Sequence, residues 1–328
     1  MVIKELRQGE SALTILIGGS MEKLKFKASD KKEIFYRYWK SDSYNHQVVL
    51  IFHGMAEHSE RYDYFAKHLN SLGFDVYAQD HRGHGYTATK EELGFFADEN
   101  GWQRVVDDGY ELAKLIIKKD KEAKIFLFGH SMGSFLVRTL LTQHDKEFTG
   151  VVLSGTGSDK GLLGKVGKSL AYFRSRGTNA KRKDQLLDKM SFGSFGNKFK
   201  PTRTPFDWLS KDEIEVDKYF SDPLCGFVCT SKFFYDLLSG VQIANNLELA
   251  KKIKKKLSVL VISGKDDPVG DFGKGVEKVY SLYKDAGLKD LTLELVEDGR
   301  HELLNETNKE EINQMIGKWL VSKSEVAP

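Results

Sequence analysis

Short, continuous apolar runs recur along the first half of the chain. Between them lie segments whose apolar positions return every three or four residues. Residues 48–52 (Val-Val-Leu-Ile-Phe) form such a run, which fits a strand buried on both faces of a parallel sheet. Residues 33–39 are rich in β-formers and partly alternate, which predicts another strand. Tyr62, Phe65, Leu69 and Leu72 stand at helical spacing across residues 59–72. Residues 74–78 read as the next strand. A helix is expected near 101–119 through Val105, Val106, Leu112, Leu115 and Ile116. The strand at 125–128 runs into Gly129, a helix continues through Phe135, Leu136, Leu140 and Leu141, and 151–153 is a strand again. Strands alternating with helices predict an α/β fold with a doubly wound, mostly parallel central sheet flanked by helices.

This rhythm stops at residue 156. Residues 156–248 are rich in Gly, Lys and Phe, with weak helical patterns and no clear buried strand. Strand character returns at 257–262 and 291–296, with helices expected near 273–286 and 307–322. The simplest organisation is one sheet domain in two parts, 21–155 and 249–328, interrupted by an inserted cap at 156–248. Lys4 and Arg7 precede a short apolar run at 12–17, and Gly18-Gly19-Ser20-Met21 reads as a linker before a second start. Residues 1–20 are therefore expected to be an added leader. The alternative is an extra β-strand.

Composition changes this picture little. The 328 residues carry 50 basic and 47 acidic side chains, a balance that gives no reason to expect a nucleic-acid partner. Two cysteines, Cys225 and Cys229, argue against a disulfide-built secreted domain. Four residues apart, they would share one side of a helix, and they read as packing residues rather than a metal site. No stretch approaches the ~20 apolar residues of a membrane span. A cytoplasmic location is the default expectation.

The chemistry centres on Gly129-x-Ser131-x-Gly133, between a predicted strand and a predicted helix. A serine hydroxyl attacks only when a base removes its proton, and it must project from the backbone to reach a substrate. A sharp strand-to-helix turn projects it, but the residues two positions away must be small. Chance gives roughly 0.2 such matches in a chain of this composition, so the context carries much of the weight. In such sites the acid and then the base follow the serine in the chain. His301 is the one histidine beyond the insertion, on the loop after the strand at 291–296. The loop after the preceding strand holds two candidate acids, Asp266 and Asp267, with Asp271 a distant third. His53-Gly54-Met55 leaves the strand at 48–52, where a second oxyanion donor should lie, so the N–H groups of Met55 and Met132 are the expected pair. This chemistry needs no cofactor and no metal. His81 and His84 lack further ligands at sensible spacing, which argues against a metal there.

Four segments together resemble the monoacylglycerol lipase and lysophospholipase branch of the α/β-hydrolases. They are His53-Gly54-Met55-Ala56-Glu57-His58-Ser59-Glu60-Arg61-Tyr62, Asp80-His81-Arg82-Gly83-His84-Gly85, Gly129-His130-Ser131-Met132-Gly133 and Gly264-Lys265-Asp266-Asp267-Pro268-Val269. With His301 they span nearly the whole chain after residue 30. The resemblance implies the α/β-hydrolase fold and a Ser131–Asp267–His301 triad, choosing Asp267 over Asp266. It also implies oxyanion donors at Met55 and Met132, supported by His53, Gly54, Gly129, His130 and Gly133. The segment 80–85 becomes a loop packed beneath the site. The branch usually carries a proline just before the strand leading to the acid, where this chain has Lys256-Leu257. The adjoining run 251–256 reads most simply as a solvated loop, with an anionic-lipid contact as a second reading.

The implied substrate is a small monoacyl ester such as a monoacylglycerol or lysophospholipid. Leu162, Leu163, Val166, Leu170, Tyr172, Phe173, Phe192, Phe195, Phe199, Phe206, Trp208, Leu209, Tyr219, Phe220, Phe227, Phe233 and Phe234 in the insertion would line an acyl tunnel or form the cap's own core. The cap would also make any transient contact with a membrane surface. The alternatives are a short-chain carboxylesterase, a serine peptidase or an acyltransferase on the same scaffold, and a relative that binds ligand without turnover.

Overall fold

The computed structural model describes residues 20–324, so the expected leader lies, except for Ser20, outside the described residues. Eight strands make one sheet: β1 (Met21–Lys27), β2 (Glu33–Trp39), β3 (Gln47–Phe52), β4 (Phe74–Gln79), β5 (Lys124–His130), β6 (Phe148–Ser154), β7 (Ser258–Gly264) and β8 (Asp290–Val296). Their order across the sheet is β1-β2-β4-β3-β5-β6-β7-β8. The β1–β2 and β2–β4 pairs are antiparallel, and every other pair is parallel. The helices among the described residues are α1 (Asp63–Ser71), α2 (Gly101–Lys119), α3 (Met132–Leu141), α4 (Leu162–Arg174), α5 (Gln185–Phe192), α6 (Glu213–Ser221), α7 (Ser231–Ala244), α8 (Leu247–Ala250), α9 (Lys274–Asp285) and α10 (Lys309–Ser324).

The continuous apolar runs follow from burial on two faces. Successive side chains of a strand point to opposite sides. In β3, Val48, Leu50 and Phe52 enter one core cluster with α2, α3 and α9, while Val49 and Ile51 enter another with α1 and α10. In β7, Val259 and Val261 join the first cluster, and Leu260 and Ile262 join the second. The sheet is therefore the middle of three layers. Its parallel strands end together, which gathers the loops after β3, β5, β7 and β8 along one edge, where open α/β sheets place functional groups.

β1 is not among the expected strands. Its sequence Met-Glu-Lys-Leu-Lys-Phe-Lys alternates, but Leu24 and Phe26 are only half-buried while Lys23, Lys25 and Lys27 face water. An edge strand with one partly covered face gives a faint hydropathy signal.

Between β6 and β7 lie α4 to α8 and no strand of the sheet. Apolar periodicity here is weak, and α5 to α8 start on side-chain caps instead. Asp184, Asp212, Thr230 and Asn246 each accept a hydrogen bond from a backbone N–H in the first turn of α5, α6, α7 and α8. Such caps contribute about 1 kcal/mol each. Cys225 and Cys229 are corrected by position: they occupy the connection between α6 and α7, not a helix, and both are buried and free. The run 251–256 is also not wholly solvated. Ile253 is buried, and Lys254 Nζ donates to Phe148 O at 2.6 Å. Among the described residues, no helix is long and apolar enough to cross a membrane.

Candidate active site

Ser131 joins β5 to α3 with φ 51° and ψ −119°. A non-glycine residue with positive φ is strained, and such strain holds only where the surroundings enforce it. Ser131 N–H donates to Ser154 O at 2.9 Å, and Ser134 Oγ donates to Ser131 O at 2.6 Å. The flanking glycines are required for close approach. A Cβ at Gly133 would lie 2.0 Å from Phe52 O, and one at Gly129 would lie 2.7 Å from Gly133 O. The turn therefore presses against the end of β3, and Ser131 is left facing a cavity.

Asp267 and His301 meet across the loops after β7 and β8, with His301 Nδ1 2.9 Å from Asp267 Oδ2. Asp267 is fully buried and also accepts from Ser263 Oγ at 3.0 Å and Val269 N–H at 2.8 Å. Burial works against its charge, but the imidazole and these donors outweigh burial and hold its pKa below the ordinary 3.8. Burial likewise works against a charged His301, and the Asp267 carboxylate outweighs it, so its pKa stands above 6.5. Asp266, the other candidate, points outward and pairs with Lys198. Asp271 takes a left-handed turn at φ 52° further along the loop. His301 and Ser131 line the same cavity, while the hydrogen bonds of the described residues do not include one between them. Such contacts are often long before substrate binds.

Met55 and Met132 also line this cavity. Neither N–H is engaged by another protein group among the described residues. Met132 is the first residue of α3, where the N–H groups lack helical partners. His53 fixes the turn before Met55. Its Nδ1 lies 2.7 Å from Gly54 O, and its Nε2 accepts the His81 N–H at 3.0 Å. His81 and His84 are buried beside it, with ring centroids 4.0 and 5.3 Å from that of His53. His130 is buried against His301, their centroids 4.7 Å apart, and burial followed by the His301 charge pushes its pKa down to about 4.

The cavity has a volume of about 630 Å³, within the roughly 300–1,000 Å³ of small-molecule sites. Met55, Phe135, Phe192, Phe195, Phe206, Trp208, Phe227, Phe234, Leu237, Leu238 and Val241 give it a mostly apolar wall. Most of these come from the β6–β7 segment. The long aromatic inventory of that segment divides here, because Leu162, Leu163, Val166, Tyr172, Phe173 and Phe220 are exposed.

One pairing in the site, that of Arg61 with Glu302, carried no sequence signal. Glu57 and Glu302 also line the cavity, and Arg61 bridges them. Arg61 Nη1 donates to Glu57 Oε2 at 2.8 Å, and its two terminal nitrogens bond both Glu302 oxygens at 2.6 Å. Gly54 N–H and Tyr62 OH donate to Glu57 Oε1. Burial opposes both carboxylate charges, and Arg61 outweighs it, so both pKa values fall below 4.5. Glu57 and Arg61 stood inside a recognised motif, but nothing in the sequence paired them with Glu302, which is 241 residues from Arg61.

Fold and site together define an α/β-hydrolase. The sequence model of the family described as "Serine aminopeptidase, S33" matches residues 43–308, and the chain belongs to that family. It is a hydrolase resembling the monoacylglycerol lipase branch. It is 28% identical to human monoglyceride lipase over 315 residues, covering 92% of both chains. It is 28% identical to the mouse monoglyceride lipase over 280 residues, covering 85% of this chain and 82% of that one. Among solved structures, a thermostable carboxyl esterase from Bacillus coagulans in complex with glycerol superposes with a TM-score of 0.86 at 25% identity. That match covers 92% of this chain and 98% of the esterase.

Proposed function

We propose that the chain hydrolyses small monoacyl esters, of the monoacylglycerol or lysophospholipid kind, by acyl transfer through Ser131. The observation that carries this reading is the buried Asp267–His301 pair opening into a mostly apolar cavity that also exposes the strained Ser131. His301 takes the Ser131 proton as the hydroxyl attacks the ester carbonyl. Asp267 holds the imidazole tautomer and stabilises its cation, and the Met55 and Met132 N–H groups receive the oxyanion. The alcohol leaves with the proton from His301. Water then attacks the acyl-enzyme by the same route and releases the acid.

The β6–β7 segment acts as a cap whose apolar wall receives the acyl chain. Its outer face provides the contact with lipid. On α4, Leu162, Leu163, Val166 and Phe173 are exposed beside Lys165, a pattern suited to an anionic interface. The family description supports a second reading, cleavage at the amino end of a peptide.

The test is a rate series on glycerol monoesters of increasing acyl length, with Ser131→Ala and aminoacyl-naphthylamides in parallel. A rate that rises to medium or long chains and is lost in Ser131→Ala supports the lipase reading. Turnover of only the shortest esters would leave a general esterase, and turnover of the naphthylamides alone would replace it with the peptidase.

A further inference from the structure

Trp208 sits against His301 because the chain on either side of each is stitched together. Glu302 N–H donates to Leu209 O at 2.7 Å, and Arg300 Nη1 donates to Ser210 O at 3.0 Å and to Asp207 O. Ser210 Oγ adds a bond to Asn305 O at 2.8 Å. These contacts bring residues 207–210 of the β6–β7 segment beside residues 300–305, with Trp208 level with the imidazole. The two ring centroids are 5.1 Å apart and their planes differ by 38°.

The groups around His301 divide by charge. Asp267 bonds its Nδ1, and Glu302 and Glu57 add negative charge, moderated by the Arg61 between them. The neighbouring His130 ring is neutral near pH 7. Arg300, the cation next in sequence, is engaged by the Asp207 and Ser210 carbonyls, with its guanidinium 4.2 Å from the centroid of the Phe199 ring. The indole of Trp208 is thus the aromatic surface from the β6–β7 segment that an imidazolium at His301 would meet. A cation near an aromatic ring is stabilised by the ring's quadrupole, more so when water is excluded.

We infer that Trp208 is a positioning residue for the base: its indole holds the ring of His301 and stabilises the imidazolium that forms as Ser131 loses its proton. The inference rests on the proposed role of His301. It makes the transition-state cation depend on how the β6–β7 segment is seated. An aromatic neighbour that only excluded water would act in the opposite direction, because desolvation disfavours the charged ring. The sign of the change on removing Trp208 therefore decides between the two.

The experiment measures kcat/KM against pH for Trp208→Phe and Trp208→Leu, using p-nitrophenyl butyrate, whose chain is too short to probe the acyl wall. Urea unfolding checks that each variant is folded. Trp208→Leu should move the acid limb to lower pH by about 0.5–1 unit and lower kcat by about 3- to 10-fold with little change in KM. Trp208→Phe should fall between it and the unmodified protein. A limb that stays in place or moves to higher pH in both variants overturns the inference and leaves Trp208 as a wall. His301→Ala separates the premise from the inference. If that variant keeps full activity, the assigned base is wrong whatever Trp208 does. If it is inactive and the limb does not move, only the role of Trp208 fails.

Discussion

The sheet and the β6–β7 segment supply the two halves of one cavity by different physical means. The sheet half is over-determined. Its central strands are buried on both faces, its turns leave no room for a Cβ at Gly129 or Gly133, and the proposed acid and base are joined by a hydrogen bond. The helical half starts α5 to α8 on side-chain caps and leaves several large apolar side chains in water, while Leu187, Phe233 and Phe234 bury it in the same core cluster as the sheet. The proposed chemistry, which would tolerate little displacement, is carried by loops of the sheet half. The half that shapes the cavity is anchored on the sheet through α7, but its outer helix α4 exposes Leu162, Leu163, Val166 and Phe173.

The largest test of this contrast lies in the two adjacent aspartates. Asp267→Asn should lower kcat/KM by about 10³–10⁴-fold, because the imidazole loses both its orienting acceptor and its counter-charge. Asp266→Asn, which loses only a partly exposed pair with Lys198, should change it less than about 2-fold. The pH dependence has a definite sign. With the His301 pKa raised, wild-type kcat/KM should fall as the pH drops through a value above 6.5. In Asp267→Asn the dominant cause of the raised value is gone, so the acid limb of the residual activity should move to lower pH. Equal losses at 266 and 267 in a pH–rate series would defeat the assignment of the acid.

Next in size is the buried ionic cluster. Arg61→Met leaves Glu57 and Glu302 facing each other without a cation, and breaking such a cluster costs about 3–5 kcal/mol. Urea unfolding at pH 7 should register that loss. The sign follows from the depressed carboxylate pKa values. The stability they contribute is fully present above the ordinary 4.5 and is lost as the pH falls through the lower folded values. The deficit of Arg61→Met should therefore shrink towards pH 4, where its own uncompensated carboxylates take up protons. A deficit constant from pH 7 to pH 4 would mean that Arg61 matters through packing and not charge.

The helical half should respond in specificity rather than in catalysis. Leu238 on α7 lines the cavity. Leu238→Trp should lower turnover of the longest monoesters by about 10-fold and barely alter the shortest, since filling space costs only what the displaced atoms needed. A uniform loss across the chain-length series would place Leu238 in the fold and not in the acyl wall.

The same contrast explains what the sequence could convey. β3, β5 and β7 were legible because two-sided burial demands unbroken apolar runs, and Ser131 because a strained turn demands glycines at fixed spacing. Asp266 and Asp267 could not be separated by the residues alone, since neighbours on a turn differ only in which way they point. The resemblance to a family chose Asp267, and in the structure that residue meets His301. β1 was missed because a charged edge strand has little hydropathy to read. Trp208 was visible only as one of many aromatics in the insertion. Its place against His301 depends on hydrogen bonds between segments about 90 residues apart, and no local pattern encodes them.

The smallest expected effect probes how firmly the two halves are joined. Lys198 reaches from the β6–β7 segment to Asp266, and its ammonium lies 4.9 Å from the centroid of the Phe272 ring. The position looks like a latch on the acid loop, but the lysine side chain is 48% exposed and Asp266 is 30% exposed. Ion pairs in water contribute roughly 0–1 kcal/mol, because hydration competes and the flexible side chain loses freedom. The bonds from Arg300 and Glu302 to residues 207–210, by contrast, are formed by groups withdrawn from solvent. Lys198→Met should therefore shift the urea midpoint by an amount near the error of measurement and change kcat less than about 2-fold, with any effect fading as salt is raised. A large change that persists in high salt would move the seam between the halves to the acid loop. It would mean that the helical half positions Asp267 as well as walling the cavity.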